Sequence, residues 1–405
     1  MTIRYFILGF ALLTFLFSFP ASAHFLPKSQ QRKPFFHNKI HSSVKDNWNN
    51  DPLLENFAKG TQVLMKFFDP NIGVWSDPNC VKSKSCVNGT GWWYWGNAAH
   101  ILADYQRYAL ADHQNFTWAF DSIYNKNLQE MTSSGYFDDE GWWGLALIRL
   151  YQTTNNSVYL NQAKKIADDM GTRGRQSVCG NGGIFWDAAK TQVGAIANEL
   201  YISLCGKIAL IDDPDKRYLQ NAINTWNWLN SSGLIQHNSL IIDHYNVINK
   251  QSCGDIDNAT YTYINGVILS GLMDLAQLTS DSSYSDKAAR IARAAMARFA
   301  PRGYINDDYS ESNPKTIAED GFLFKGIFVE NLAYLALKTS DLTLKAEITA
   351  LFYGNYNLLI YFQGSGKLYG YLWEKSVGVD NPADIVTHLS ALYLIDGLVQ
   401  LKYSQ

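Results

Sequence analysis

Apolar residues recur at three- and four-residue spacing in block after block of this 405-residue chain, and strand-like alternation is scarce. Such spacing places apolar side chains on one face of a helix, so the sequence predicts an all-α fold. We interpret the blocks as twelve helices over residues 51–68, 95–110, 114–131, 141–153, 157–170, 193–211, 215–230, 259–279, 284–298, 322–338, 341–355 and 382–400.

The segments that lead into these helices are of two alternating kinds. Those before the even-numbered helices are rich in glycine and aromatic residues: "GTGWWYWGN", "GYFDDEGWW", "GNGGIFWD", "CGDIDNATYTY", "AEDGFLFKG" and "YGYLWEK". Those before the odd-numbered helices are mostly short and polar, such as "QTTNNS". Six helical hairpins that recur roughly every 60 residues can close into a double ring with alternate helices inside. The sequence therefore predicts an (α/α)6 barrel, a six-hairpin toroid, with one elaborated cleft at one end.

The first 50 residues differ from the rest of the chain. Arg4, a following apolar run and the small residues Ala21, Ser22 and Ala23 are typical of a signal peptide over residues 1–23. Residues 24–50 are polar and aperiodic, and we interpret them as a flexible N-terminal extension. The catalytic domain is then expected over residues 51–405. The C-terminus lacks a lipid-anchor signal, so we expect a secreted, extracellular protein with no membrane anchor.

Asparagines and cysteines also favour a secretory route. Five tripeptides fit the N-glycosylation rule; they begin at Asn88, Asn115, Asn155, Asn230 and Asn258.

The five cysteines are expected to pair in part in an oxidising compartment. Cys80 and Cys86 flank a short loop and are the most plausible local bridge, and Cys205 lies on an apolar helix and is expected to be a buried free thiol. A Cys179–Cys253 bridge would tie two loops together, but the sequence alone does not establish it. No Cys/His spacing fits a zinc site.

Charge excludes some functions and aromatic content favours another. The 34 basic and 37 acidic residues give a net charge of −3, with no basic stripe for nucleic acid and no polybasic patch for a membrane surface. The chain has 12 Trp and 24 Tyr, many of them in glycine-rich segments. Aromatic faces on loops are suited to stacking against sugar rings. The composition thus favours a carbohydrate partner.

The stretch "GYFDDEGWWGLALIRLY" places Asp138 and Asp139 side by side at the start of a helix, close to Trp142 and Trp143. Glycosidases use two carboxyl groups, about 5–5.5 Å apart when the anomeric configuration is retained, and adjacency favours this shorter separation. Desolvation by the aromatic rings and mutual repulsion are expected to raise one pKa, so that this group can act as an acid. A structural alternative is helix capping. The pair Asp307–Asp308 is the rival suited to a control.

Other residues of the elaborated segments are candidate sugar contacts. Ten residues, including the two neighbouring tryptophans, are expected to bind substrate: Trp142, Trp143, Trp93, Trp186, Asp187, Tyr261, Tyr263, Asn265, Lys325 and Trp373. The glycines before Trp186 would let the backbone approach a ligand closely. His100 and His388 lie on helices and are expected to be core residues and not catalysts.

Five motifs give the chain a resemblance to a known family. "YFDDEGWWGLALI", "GNGGIFWD", "AIANELYISLCGKIA", "YTYINGVILSGLMDLAQLT" and "FKGIFVENLAYLA" occur in the order and with the character seen in glycoside hydrolase family 76, over roughly residues 55–400. That family comprises endo-α-1,6-mannanases and related fungal cell-wall enzymes.

The resemblance implies an (α/α)6 barrel and a retaining mechanism, with Asp138 as nucleophile and Asp139 as acid/base. It also shows one departure: the family usually has Asn after "YTY", whereas this chain has Ile264 followed by Asn265. This implies that a polar contact to substrate is lost or shifted by one residue.

The sequence therefore predicts a secreted, monomeric retaining endo-glycosidase that hydrolyses α-1,6-mannosidic linkages of mannan without metal or cofactor. Two alternatives stay open: a transglycosidase that links mannan-bearing glycoproteins to wall glucan, and a non-catalytic carbohydrate-binding wall protein. An enzyme acting on acidic sugars would need basic residues clustered in the cleft loops, and only "FLFKG" and "YLWEK" carry any, one Lys each.

Overall fold

The computed structural model describes residues 50–76, 92–109, 115–307 and 320–404. Within those residues the chain forms twelve α-helices, as the apolar spacing predicts. They are α1 Pro52–Met65, α2 Trp92–Ala109, α3 Thr117–Asn127, α4 Phe137–Thr154, α5 Ser157–Arg173, α6 Ala195–Ile211, α7 Arg217–Ser231, α8 Val267–Thr279, α9 Ser282–Phe299, α10 Gly321–Lys338, α11 Leu342–Gln363 and α12 Ile385–Tyr403.

The even-numbered helices are the inner ones. Every residue from Ala195 to Gly206 of α6 and from Ile385 to Leu401 of α12 is buried. The odd-numbered helix α9 instead buries one stripe, from Ala288 to Phe299 at three- and four-residue steps. A helix that is apolar on all sides needs neighbours all round, whereas an amphipathic helix covers a core from outside.

Contacts among the inner helices close a ring. The order is α2, α4, α6, α8, α10 and α12, and α12 packs back on α2. Five odd-numbered helices each lie outside and contact two consecutive inner helices: α1, α5, α7, α9 and α11. At the α4–α6 contact a Cβ on Gly141 would lie 2.8 Å from Leu200, and one on Gly144 would lie 2.6 Å from Leu204, so the close approach requires glycine. The predicted (α/α)6 barrel is confirmed.

The polar turns before most outer helices supply N-caps. Side chains of Asp51, Asn156, Asp281 and Asp341 accept backbone N–H groups at the starts of α1, α5, α9 and α11. No side chain caps the start of α4, α6, α8 or α10 in the described part of the chain. A capped helix start satisfies its own donors. The inner helix α12 is capped as well, by Asp384, so side-chain caps are commoner at outer helices but do not by themselves separate the two loop classes.

The structure also contains short strands that the sequence did not predict. β1 Phe68–Asp69 pairs with β2 Val74–Trp75, and an antiparallel sheet has the order β3 Gln192–Gly194, β4 His244–Ile248, β5 Ser252–Asp257. This sheet joins the segments before α6 and α8.

Some predicted helix limits were wrong. Residues 259–266 form turns, not the start of α8, because Asn265 and Thr260 bond the backbone of Ile241. In contrast α11 extends to Gln363, eight residues beyond the predicted end at 355.

Two of the cysteine predictions can be compared with the structure. Cys179 and Cys253 form a disulfide with a Cα–Cα distance of 4.8 Å, which ties the segment before Trp186 to β5. Cys205 is a buried free cysteine, as expected. Cys80 and Cys86 lie outside the described residues, as do the predicted signal peptide and nearly all of the predicted extension, so both segments stay predictions. Among the described residues, no helix has the length and apolar character to cross a membrane.

Candidate active site

The start of α4 is fixed by the loop that carries Trp186. The backbone N–H of Phe137 donates to the carbonyl of Trp186 at 2.8 Å, and Tyr136 forms a bridge with Asp187. This pairing begins the helix at residue 137, earlier than the predicted start at 141. Asp138 and Asp139 consequently lie within the first helical turn.

Asp138 is held by one indole. Trp186 Nε1 donates to Asp138 Oδ2 at 2.8 Å, and the Trp186 ring packs on Tyr136 with 4.8 Å between centroids. Burial raises the pKa of Asp138 to about 7, although the indole N–H and nearby backbone N–H groups favour the ionised form. The side chain is half-buried. Asp138 is therefore a carboxyl whose charge is costly but specifically supported.

Asp139 has less support for a negative charge. Its pKa is raised well above the usual value by burial first, and then by the charges of Asp138, Asp320 and Glu140. No hydrogen bond contributes to this shift, in contrast to Asp138. Between two interacting acids the better supported one ionises first. The pair therefore holds a proton on Asp139 when Asp138 loses its own.

The third acid of the row faces another way. Glu140 is fully buried and accepts from Arg173 Nη2 on α5 at 2.9 Å. Arg173 also pairs with Asp169. Glu140 thus connects the inner and outer helices, and only the first two acids are left for chemistry.

Two aromatic groups lie near the pair. In the first, the Trp93–Trp142 wall, the rings stack with 5.6 Å between centroids and 27° between planes. In the second, the Tyr261–Tyr263–Phe324 stack, the Tyr263 and Phe324 rings are 4.0 Å apart. Trp142 follows the acids by three and four residues and so shares their helix face.

The charges of nearby acids also affect the second aromatic group. Burial raises the pKa of Tyr263 well above its usual value, and the charges on Asp243, Asp138 and Glu199 raise it further. The structure thus brings together the acid pair, Trp186, both rings of the wall, and Tyr261 with Tyr263.

Three other predicted sugar contacts have buried side chains. Trp143 packs on Trp92 at 4.7 Å and donates its indole N–H to the Trp92 carbonyl. Lys325 Nζ lies 4.5 Å from the ring centroids of both Tyr371 and Trp373. All of these side chains are at most 5% exposed, so we place Trp143, Lys325 and Trp373 in the supporting core.

Asp187 and Asn265 have structural partners. Asp187 accepts from the backbone and hydroxyl of Thr191. Asn265 is fully buried and bonds the backbone of Ile241 and Tyr261. Ile264, at the departure from the family pattern, is also fully buried. Neither Asp187 nor Asn265 is included in the site that we propose.

The glycines before Trp186 contact protein. A Cβ on Gly183 would lie 2.8 Å from the Trp228 ring. The expected close approach of the backbone is therefore made to an indole of α7.

The rival acid and the two histidines are engaged elsewhere. Asp307 is buried and accepts from the backbone and hydroxyl of Thr262, while Asp308 lies outside the described residues. His388 accepts at Nδ1 from the Tyr369 N–H, and its Nε2 lies 2.9 Å from the Gly60 carbonyl. His100 belongs to an interior ion network. The core positions of His100 and His388 agree with the sequence prediction.

Sequence reasoning missed Asp320, although it lies in the quoted "AEDGFLFKG". Its Oδ1 accepts from Trp93 Nε1 at 3.1 Å and from the Tyr94 hydroxyl at 2.7 Å. The signal was an acid directly before an inner helix, in one of the elaborated segments.

Metal ligands and cavities do not point to a second site. Asp243, His244 and Asp257 offer ligand atoms within 4.8 Å of one another, but exposed acidic groups of this kind are common without an ion, and we assign no metal. A surface cavity of about 650 Å³ near α3 and α5 is lined by residues such as Lys126, Gln129 and Asp169. It contains none of the candidate residues.

Known proteins share this architecture. A solved structure of an inactive variant of the α-1,6-mannanase GH76A of Salegentibacter sp. HEL1_6, with two consecutive aspartates replaced by asparagine and α-1,6-mannotriose bound, superposes with a TM-score of 0.71. It is 21% identical and covers 86% of this chain and 99% of that chain. Dfg5 from Chaetomium thermophilum in complex with glucosamine gives a TM-score of 0.74 at 19% identity, covering 87% and 91% of the two chains.

A curated relative matches over a shorter range. Mannan endo-1,6-alpha-mannosidase DCW1 of Candida albicans is 23% identical over 227 residues, which are 51% of this chain and 49% of the relative. This chain thus matches about half the length of that protein. The profile of glycosyl hydrolase family 76, in contrast, matches residues 54–403, nearly the whole barrel. This chain belongs to glycosyl hydrolase family 76.

Proposed function

We propose that this protein cleaves α-1,6-mannosidic linkages of mannan with retention of anomeric configuration. The observation that carries the proposal is the first turn of α4. There two adjacent half-buried carboxyls differ in how well their negative charge is stabilised. Asp138 accepts a hydrogen bond from Trp186, whereas the pKa of Asp139 is raised by burial and by the charges of its neighbours. Retaining glycosidases need this division between a nucleophile and a proton donor.

The reaction uses each carboxyl in turn. Asp139 gives its proton to the glycosidic oxygen while ionised Asp138 attacks the anomeric carbon, so the glycosidic bond breaks and a glycosyl ester forms. Asp139, now ionised, then takes a proton from water. The water oxygen attacks the anomeric carbon and releases Asp138. Trp186 supports the charge on Asp138 before attack and after release.

The aromatic groups supply the binding surface. The partly exposed rings of Trp186, Tyr261 and Tyr263 lie near the acids and suit sugar rings with apolar C–H faces. The Trp93–Trp142 wall and Phe324 are buried and support these rings and the acid pair from behind. Support for mannan comes from the family and from the neighbour with α-1,6-mannotriose bound, in which two consecutive aspartates were replaced in the inactive variant.

An extracellular location is part of the proposal. The disulfide Cys179–Cys253 favours an oxidising compartment. Four of the predicted glycosylation sites lie in the described residues and all four asparagines are exposed: Asn115, Asn155, Asn230 and Asn258.

Product analysis tests the function. The protein is incubated with linear α-1,6-mannan, and the first products are read by NMR for length and anomeric form. We expect shorter oligosaccharides that appear first as the α-anomer. Inverted products would contradict retention, and transfer products without net shortening would favour the transglycosidase alternative.

A matched pair of variants tests the acids. Asp138→Asn should abolish cleavage but leave mannan binding. Asp168→Asn, in an acidic pair whose Asp168 bonds Arg217, should cleave as the wild type does. If Asp138→Asn changes neither binding nor activity, the acid pair is structural.

A further inference from the structure

Asp320 directly precedes α10 and is bonded to a distant inner helix. Its Oδ1 accepts from Trp93 and Tyr94, which lie 227 and 226 residues away in the first turn of α2. Since α2 and α10 flank α12 in the ring, these two bonds cross the cleft end of the barrel.

Asp320 is linked to the catalytic pair by contact and by charge. The Trp93 ring that donates to Asp320 stacks on Trp142 at 5.6 Å, and Trp142 shares the helix face of the pair. The negative charge of Asp320 also raises the pKa of both Asp138 and Asp139. One carboxylate thus positions the wall and acts on both acids.

We propose that Asp320 is a positioning residue whose fixed negative charge keeps a proton on the Asp138–Asp139 pair and whose two aromatic donors hold the Trp93–Trp142 wall beside it. The inference rests on the proposed roles of the pair. Three carboxyls share one cleft, and repulsion disfavours full ionisation. Asp139, which has no hydrogen bond that favours its charge, keeps the proton that the first step needs.

Other charged groups near the pair do not replace this role. Glu140 on α4 also acts on Asp139 but is paired with Arg173 on α5. Tyr263 lies before α8. Its pKa is raised by burial and then by the charges of Asp243 before β4, Asp138 and Glu199 on α6. Lys325 on α10 lies over the rings of Tyr371 and Trp373.

Indole NMR tests the charge directly. The Trp186 N–H donates to Asp138, so its chemical shift follows the ionisation of that acid. The Trp93 N–H donates to residue 320, so its signal shows whether that bond is kept. Both signals are assigned by Trp186→Phe and Trp93→Phe. In Asp320→Asn, which keeps an oxygen acceptor for Trp93 and Tyr94, the midpoint of the Trp186 titration should move to lower pH by about one unit.

Two variants serve as controls. Asp286→Asn removes one charge from an exposed position on α9 and should leave the midpoint unchanged. Asp320→Glu restores the charge and should return the midpoint towards that of the wild type. An unchanged midpoint in Asp320→Asn, with the Trp93 signal retained, would overturn the proposal.

The rate profile gives a second readout. With α-1,6-mannan as substrate, both limbs of the kcat/KM profile of Asp320→Asn should move to lower pH, because both acids lose the same repulsion. A purely structural role would lower the maximum and leave both limbs in place, and that result would also overturn the proposal. If the wild type does not act on mannan, the proposed function fails, but the indole titration still tests Asp320.

Discussion

The inner helices carry two groups of acids that differ in which charged groups lie opposite them. At the cleft end, Asp138 and Asp139 lie near a third acid, Asp320, and both have raised pKa values. Deeper in the barrel, Asp104 and Glu330 face His100 and Arg149, with His100 Nε2 at 2.9 Å from Glu330 and Arg149 Nε at 3.1 Å from Asp104. We call this second group the His100–Arg149 network.

The two groups show how one scaffold supports opposite protonation states. Burial disfavours charge in both. In the network Arg149 and His100 outweigh burial and hold the pKa of Asp104 at about 2, while Glu330 and Asp104 raise that of His100 to about 9. Residues 138 and 149 are on the same helix, about 16 Å apart along its axis at 1.5 Å per residue. Charge partners, and not burial alone, separate the ion network from the proposed catalytic acids.

The largest effect should come from the cleft. Asp138→Asn should reduce kcat on mannan by about 10³-fold or more, because the proposed nucleophile is lost. The same change should raise Tm at pH 8, since a carboxyl with its pKa raised to about 7 costs stability once ionised. Activity and thermal unfolding are measured on one preparation. A lower Tm would mean that Asp138 supports the fold instead.

The network should respond in the opposite way. Arg149→Met leaves Asp104 and Glu330 buried without their cation, so the free energy of unfolding should fall by about 3–5 kcal/mol, measured with urea at pH 7. Arg293→Met breaks exposed pairs with Asp341 and Glu347 and should cost no more than about 1 kcal/mol. Equal losses in the two variants would show that burial of the network does not matter.

The pH dependence of stability should identify His100. Its folded pKa is raised from 6.5 to about 9, so its stabilisation is complete below pH 6.5 and is lost as pH rises through 9. The wild type should lose on the order of 3 kcal/mol across this window from His100. His100→Asn should lose that much less over the same range, whereas His237→Asn, at an exposed position, should follow the wild type.

The smallest change should come from Trp186, whose indole N–H stabilises the charge of the proposed nucleophile Asp138. Trp186→Phe removes the N–H that favours ionised Asp138, so the acidic limb of the kcat/KM profile should move to higher pH by about one unit or less. The basic limb should stay, because Asp139 has no bond to this indole. Movement of both limbs would indicate that the ring acts mainly through burial.

The sequence predicted the ring and the acid pair because both depend on local patterns. Apolar spacing marks each helix, and the loop classes mark which helices lie inside. The pair was visible as two acids beside two tryptophans. The aromatic excess likewise indicated a carbohydrate cleft.

Long-range contacts and side-chain directions were not predictable. The strands β3 and β4 pair across some 50 residues, and Asp320 meets Trp93 over 227. Trp142 and Trp143 are neighbours, yet Trp142 stacks on Trp93 and Trp143 packs on Trp92, because successive helical residues point about 100° apart. Lys325 was predicted to contact sugar because the sequence does not show what its side chain meets. Its aromatic partners, Tyr371 and Trp373, come 46 and 48 residues later in the chain.

Closure of the ring joins the first and last helices of the barrel. Asp51, the cap of α1, accepts from Lys402 Nζ at 2.7 Å and also bonds the Tyr403 hydroxyl, and α12 packs on both α1 and α2. A chain emerging from the ribosome therefore cannot complete its barrel until the last helix is made. Until then the four helices that α12 contacts, α1, α2, α10 and α11, lack the partner that closes their core.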